Sequence, residues 1–324
     1  MNLKYQILLF YCYTKINNPE KFREKHHFFC IENNIRGRII ISSEGINGTV
    51  SGKIEDCEKY MNNFKKNKLF KNLEFKIDNY NSNTFQKLHV RLKNEIVNSG
   101  IKNIDVTKET GKYIEPSEFK EILNNEPKDT IILDVRSNYE HEIGKFKNAI
   151  TLDLENFRFF SDKIDEIEKT IDKSKKVITY CTGGIKCEKA SSFLIKKGFK
   201  NVYQLHGGII KYGIEEGGEN FHGKCYVFDN RIVKDINKIN PTVISKCLVT
   251  GEKTDRMVNC ANAECNKHFP LSEKGAEKFK GCCSKECMLS PKIRKYDGTG
   301  FYQRKMNGYN PYIGYRNKSS MKKD

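Results

Sequence analysis

A run of apolar residues over positions 6–13 opens the chain, and across 19–33 apolar Phe22, His26, Phe29 and Cys30 recur at helical spacing. The pattern predicts a strand followed by a helix. Strand signals over 38–42 and 48–51 flank the turn Glu44-Gly45-Ile46-Asn47, where Gly and Asn supply positive φ. A helix over 54–70 and strands over 73–77 and 88–97 complete a βαββαβ order with one extra strand. Residues 1–97 are therefore expected to form an α+β sandwich of ferredoxin-like (acylphosphatase-like) type. The polar stretch 98–115 reads as a linker.

From residue 116 the pattern changes. Helices over 117–124 and 162–170 and a helical run over 188–197 alternate with continuous apolar strands over 130–134 and 176–180. Such strands are buried on both faces, so 116–220 is expected to be an α/β domain on a parallel sheet, with its active edge at the carboxyl ends of the strands. Residues 221–290 are poor in apolar side chains and hold Cys225, Cys247, Cys260, Cys265, Cys282, Cys283 and Cys287. Residues 291–324 form a basic tail with interleaved aromatics.

The 324 residues correspond to roughly two domains of about 150, or three small ones. Hydrophobic residues make up 37% and Trp is absent, so the cores must be modest and filled by the 20 Phe, 16 Tyr and many Ile. No apolar run approaches the roughly 20 residues of a membrane helix, and the run at 7–13 lacks the length and cleavage site of a signal peptide. A cytoplasmic chain is expected, its 12 Cys being thiols, catalytic groups or metal ligands and not a disulfide framework. Lys plus Arg at 58 against Asp plus Glu at 41 gives +17. That excess fits a polyanionic partner, nucleic acid first, and equally fits a lysine-rich solvated surface.

The sharpest chemical signal is Thr179-Tyr180-Cys181-Thr182-Gly183-Gly184-Ile185-Lys186-Cys187. A thiol between a strand and a helix N-terminus, on a loop with two glycines, sits within a ring of backbone N–H groups that stabilises an anion. Cys181 is thus expected to be a nucleophilic thiolate able to carry a persulfide. Cys187 reads either as a resolving thiol or as a small core residue. A cysteine-based phosphatase would need Arg six positions after the nucleophile, where Cys187 stands, so phosphatase chemistry is disfavoured.

Four motifs in order resemble a rhodanese domain: Asp134-Val135-Arg136; Tyr139-Glu140-His141-Glu142-Ile143-Gly144; the Cys181 loop; and Val202-Tyr203-Gln204-Leu205-His206-Gly207-Gly208-Ile209. The resemblance implies that Cys181 carries the persulfide, that Asp134 and Arg136 orient the strand end and that Glu140 ties the loop, with Thr182, Gly183, Gly184, Lys186 and Cys187 completing it. Lys186 stands where such loops usually have Arg, keeping the charge but losing the bidentate fork, and Lys145 where they usually have His.

Adding Ile40-Ile41-Ser42-Ser43-Glu44-Gly45-Ile46-Asn47-Gly48-Thr49-Val50-Ser51-Gly52 and Gly223-Lys224-Cys225-Tyr226-Val227-Phe228-Asp229, the chain to about Cys287 is similar to the rhodanese-domain tRNA uridine hydroxylases. These enzymes place oxygen on carbon 5 of uridine 34. The resemblance implies 5-hydroxyuridine formation, molecular oxygen as co-substrate and tRNA, through its anticodon region, as partner. The Gly-rich hairpin reads as a tight turn or as a nucleotide contact. In the tail, Tyr296, Phe301, Tyr302, Tyr309, Tyr312 and Tyr315 would stack on unpaired bases. Cys247, Cys260, Cys265, Cys283 and Cys287, with His268 nearby, are candidate ligands for one zinc, although the Cys-x-x-Cys pairs usual in the family are lacking and a metal-free remnant is the alternative.

No 2-His-1-carboxylate pattern and no dinucleotide fingerprint stand in the sequence, so neither a flavin nor a nicotinamide site is predicted. Two other readings stay open: a plain sulfurtransferase working through Cys181, and an RNA-associated module with an inactive loop. The first domain and basic tail favour hydroxylase over sulfurtransferase, and the intact Cys181 with its Gly pair argues against an inactive module.

Overall fold

The computed structural model describes residues 3–295, so the tail expected at 291–324 lies, past residue 295, outside the described residues. Two compact units emerge, one of residues up to 141 with 145–241, the other of 142–144 with 242 onward. The strands at 221–226 and 233–235 therefore belong to the first unit, although the sequence groups them with the Cys-rich region.

The first unit begins β1 (Tyr5–Tyr13), α1 (Pro19–Glu32), β2 (Arg36–Ser42), β3 (Gly45–Lys53), α2 (Ile54–Lys65), β4 (Glu74–Tyr80) and β5 (Leu88–Leu92). Their sheet runs β4-β1-β3-β2-β5, antiparallel except for the β2–β5 pair. Leu8, Phe10, Ile39, Ile41, Ile46 and Val50 face Cys30, Tyr60 and Phe64 of the helices in one core. Pro19 begins α1 with its φ already helical, and the Asn18 side chain accepts the Lys21 N–H at 2.8 Å. His26 belongs to this core: its Nε2 meets the Tyr60 hydroxyl at 2.9 Å, and burial, helped by His27, lowers its pKa to about 4.

Three boundaries differ from the sequence pattern, each for a local reason. Ser42 pairs with Gly45, so the hairpin turn is Ser43-Glu44 and not the four residues from Glu44. The helix over 54–70 stops at Lys65, and Asn67 accepts the Leu69 N–H at 3.1 Å to start a separate 3-10 turn, Lys68–Phe70. The strand over 88–97 ends at Leu92, because the Glu95 carboxylate gathers the Ser99 N–H and hydroxyl, both at 2.9 Å, into a turn.

The parallel part comprises β6 (Lys112–Ile114), α3 (Pro116–Asn125), β7 (Thr130–Asp134), α4 (Asn138–Ile143), β8 (Gly144–Phe146), β9 (Ile150–Thr151), α5 (Phe160–Ile167), β10 (Lys176–Tyr180), α6 (Ile185–Lys196), β11 (Asn201–Leu205) and α7 (Gly208–Glu215). The sheet order is β6-β11-β10-β7-β9, every pair parallel. The stretch read as a linker supplies its edge strand: Thr110 and Gly111 bond to Ser191 of α6, and β6 lies along β11. Polarity concealed it, since an edge strand buries few of its side chains. The unit ends with the antiparallel pair β12 (Phe221–Tyr226) and β13 (Val233–Asp235).

The second unit holds β14 (Met257–Asn259), β15 (His268–Pro270), α8 (Glu273–Phe279) and α9 (Lys285–Met288). Its core is small, with Val258, Cys260, Ala261, Phe269, Leu271, Ala276 and Cys282 at its centre. Among the described residues no helix is long and apolar enough to cross a membrane.

Candidate active site

Cys181 follows the last residue of β10, the central strand of the parallel sheet, and α6 starts four residues later. The residues between must turn without side-chain bulk. A Cβ on Gly183 would lie 2.8 Å from Leu9 Cδ2, and Gly184 adopts φ +99°, a conformation that L side chains rarely enter. The loop so formed brings the Gly184 N–H to the Cys181 Sγ at 3.2 Å. Cys181 is fully buried, and burial alone would raise its pKa. The Cys187 S–H, the Lys186 charge and the Lys186 and Gly183 N–H groups outweigh burial and bring it down to about 6. At neutral pH this thiol is ionised. Cys187, by contrast, is pushed well up by burial and by the neighbouring Cys181 sulfur.

Asp134 and Arg136 form a closed, fully buried pair: Arg136 Nε donates to Asp134 Oδ1 at 2.9 Å and Nη2 to Oδ2 at 2.7 Å. The Tyr180 hydroxyl adds a bond to Asp134 Oδ2 at 2.6 Å, and Arg136 Nη1 reaches the Glu140 carbonyl at 3.1 Å. Glu140 in turn holds Lys186 Nζ at 2.5 Å and the Ser137 N–H at 3.1 Å. The pair thus braces the strand end, and Glu140 fixes the lysine whose charge helps to lower the Cys181 pKa. Thr182 lies 3.5 Å from Glu140 Oε1.

Sequence reasoning missed the contribution of the first sheet. Leu9, Tyr11 and Tyr13 of β1 lie over the Cys181 loop: a Cβ on Gly184 would be 2.9 Å from the Tyr11 hydroxyl, and Tyr13 Oη reaches the Ile185 carbonyl at 3.4 Å. Tyr11 Oη donates to Glu188 at 2.8 Å, and this buried carboxylate also accepts from Tyr113 at 2.7 Å and from Thr110 and Gln204 at 3.0 Å each. Buried Lys189 pairs with Glu44 and Glu95, both at 3.0 Å. Glu44, within the Gly-rich hairpin motif, therefore clamps the first sheet to α6. Lys76, also buried, sits 5.0 Å over the Tyr11 ring. The alternating apolar pattern of β1 marked these tyrosines as strand residues but carried no sign of what they cover.

A cleft lined by Leu9, Lys76, Thr182, Phe228, Arg231 and Lys234 opens beside the loop. Phe228 is 39% exposed, and Lys186 Nζ stands 5.8 Å over its ring.

In the second unit, Cys260, Cys265, Cys283 and Cys287 place their sulfurs within 4.8 Å of one another. Cys265 and Cys283 Sγ are 3.7 Å apart, and Cys283 and Cys287 Sγ 3.8 Å. Four thiolates on a tetrahedral zinc with Zn–S of about 2.3 Å have edges of about 3.8 Å, so the set fits that ion. Cys247 stands apart from this set, its sulfur accepting from Ser272 Oγ at 3.3 Å and Thr250 N–H at 3.4 Å. A four-sulfur set leaves no open coordination position, which suits a structural ion and not a catalytic one.

Comparison with known proteins finds family models along three stretches of the chain. Family models match at residues 5–96 (UPF0176 acylphosphatase like domain), 115–215 (Rhodanese-like domain) and 222–288 (Rhodanase C-terminal). A protein of Cytophaga hutchinsonii named tRNA uridine(34) hydroxylase is 58% identical over 95% of this chain and 98% of its own. Proteins of the same name from Staphylococcus haemolyticus (47%, over 88% of this chain and 89% of theirs) and Bacillus cereus (45%, over 90% and 91%) are also similar.

Proposed function

Because this chain belongs to the tRNA uridine(34) hydroxylase family, we propose that it hydroxylates carbon 5 of the wobble uridine of tRNA in the cytoplasm, with molecular oxygen as co-substrate and Cys181 as the catalytic, persulfide-bearing residue. The observation that carries the role of Cys181 is its setting: a fully buried thiol at the carboxyl end of the central strand that accepts the Gly184 N–H of its loop, with the Lys186 charge helping to lower its pKa. Those donors hold an anion on Cys181 or on a sulfur attached to it. The Glu140–Lys186 contact keeps the positive charge in place, and Asp134 with Arg136 keeps the strand end rigid.

Recognition of an unpaired base needs an aromatic face and cations for the flanking phosphates. Phe228, with Lys186 above its ring, supplies such a face beside the loop, and the positive excess of the chain favours a polyanion. Deleting the gene is expected to lower 5-hydroxyuridine-derived nucleosides at position 34, and purified protein to restore them only in the presence of oxygen. Mass spectrometry of digested tRNA measures this. An unchanged wobble profile alongside sulfur transfer from thiosulfate would instead favour the sulfurtransferase reading.

Cys260, Cys265, Cys283 and Cys287 would hold one zinc, which would supply the cross-link that the small second core needs. The purified protein is expected to contain about one zinc per chain, four thiolates making one tetrahedral site. Elemental analysis checks this, and protein prepared without chelator and free of zinc would refute it.

A further inference from the structure

Cys187 is fully buried on the first turn of α6, its N–H bonded to the Gly184 carbonyl at 3.0 Å. Cys181 lies fully buried in the same core cluster and accepts the Gly184 N–H on its Sγ at 3.2 Å, so the backbone of one glycine bonds both cysteines, and the Cys187 thiol is among the groups that lower the Cys181 pKa. A residue serving only to fill space does not require a second thiol on the same loop as the reactive one. Six positions separate the two sulfurs along the chain, and Gly183 and Gly184 lie between them, so the loop has the backbone freedom to bring them to a bond of about 2.05 Å.

We propose that Cys187 is a resolving thiol, which discharges the persulfide of Cys181 as hydrosulfide and closes a Cys181–Cys187 disulfide. The inference rests on the reading of Cys181 as persulfide-bearing. A sulfane donor such as thiosulfate first leaves its outer sulfur on the Cys181 thiolate and departs as sulfite. Cys187 Sγ then attacks Cys181 Sγ, the inner sulfur of the persulfide. The new bond joins the two cysteine sulfurs, the bond to the outer sulfur breaks, and the Cys187 proton leaves with that sulfur as HS−. Sulfane sulfur is reduced to sulfide and the two thiols are oxidised to a disulfide, so no further oxidant enters, and a dithiol restores the pair.

The electrostatics provide the timing. While Cys181 is a bare thiolate, its charge and the burial around it keep Cys187 protonated and inert. Once a persulfide forms, the charge moves out to the terminal sulfur among the loop N–H groups, and the repulsion that holds the Cys187 proton weakens. The site would then release one sulfide per loading event instead of keeping the sulfur indefinitely.

The test uses the full chain, reduced, freed of reductant and loaded with thiosulfate. Wild type is expected to release about one sulfide per chain and Cys187→Ser less than about a tenth of that, with the variant keeping the persulfide. Trypsin cuts after Lys176, Lys186 and Lys189, so the disulfide appears as peptides 177–186 and 187–189 joined. The persulfide appears instead as about 32 Da added to peptide 177–186 in the variant. Ser keeps a hydrogen-bond donor toward Cys181, and Cys187→Ala, which has none, separates loss of resolution from loss of that donor by the pH dependence of Cys181 alkylation. A wild-type chain that keeps its persulfide as stably as Cys187→Ser overturns the proposal while leaving the persulfide reading intact. If neither chain gains sulfur, both are refuted.

Discussion

Replacing Cys181 by Ser is expected to reduce hydroxylation of uridine 34 by on the order of 10³-fold or more, while thermal stability and tRNA binding change little. Serine occupies nearly the same volume and accepts the same Gly184 N–H, so the loop keeps its shape. What it lacks is a proton that leaves near neutral pH. The wild-type thiol should show this directly in its alkylation by a small reagent such as iodoacetamide. Its rate should climb through a midpoint near pH 6 and level off above it, because the folded site brings the Cys181 pKa down to about 6. The unfolded chain should show a midpoint at about 8.5. By linkage, a depressed folded pKa stabilises the fold fully above the unfolded value, and that contribution fades as pH falls through the folded one. Lys186→Met should move the midpoint upward. A Cys181→Ser enzyme with wild-type turnover would remove the cysteine from the reaction altogether.

Much of this site could be read in the sequence because its chemistry is local. Cys181, Gly183, Gly184 and Lys186 act on one another through a single turn of backbone, and the βαββαβ and parallel-strand patterns follow from hydrophobic period alone. The long-range partners left no such trace. Nothing in the residues around Glu188 announces that Tyr11, some 177 positions earlier, donates to it at 2.8 Å, or that Lys189 reaches Glu44. The Gly-rich hairpin read as a tight turn is one, but nothing in it signalled that its Glu44 clamps the first sheet to α6. Cys247 shows the converse error: proximity in sequence to the other cysteines made it a ligand candidate, yet its sulfur is taken by Ser272 and Thr250.

The Tyr11–Glu188 and Lys189–Glu44 contacts also give the first sheet a place in the chemistry. Leu9, Tyr11 and Tyr13 cover the loop, and that cover excludes water from the thiolate and strengthens each of its hydrogen bonds. An isolated parallel-sheet domain would lose this roof along with the partners of α6. The acylphosphatase-like part therefore contributes to the environment of the Cys181 sulfur.

Asp134→Ala is expected to cost about 3–5 kcal/mol of folding stability, more than any surface charge in the chain would, because it strands a guanidinium where water cannot reach it. Arg136 and Asp134 are both fully buried, and their two side-chain bonds of 2.9 and 2.7 Å, with Tyr180 as a further donor, offset the desolvation of each charge only while both remain. Burial would raise the Asp134 pKa, but the Arg136 guanidinium and the Tyr180 hydroxyl hold it below the usual carboxylate range. The sign follows: the pair stabilises the fold above the unfolded carboxylate pKa of about 3.9, and the contribution disappears as pH falls through the lower folded value. Replacing both residues by apolar ones of similar volume should cost less than Asp134→Ala alone, since no charge is left unpaired. The damage should also reach the thiol, because Arg136 holds the Glu140 carbonyl and Glu140 holds Lys186. Urea unfolding of the three proteins measures the first effect and the midpoint of Cys181 alkylation the second. A loss below about 1 kcal/mol with an unmoved midpoint would show that the pair is a solvated surface interaction in all but position.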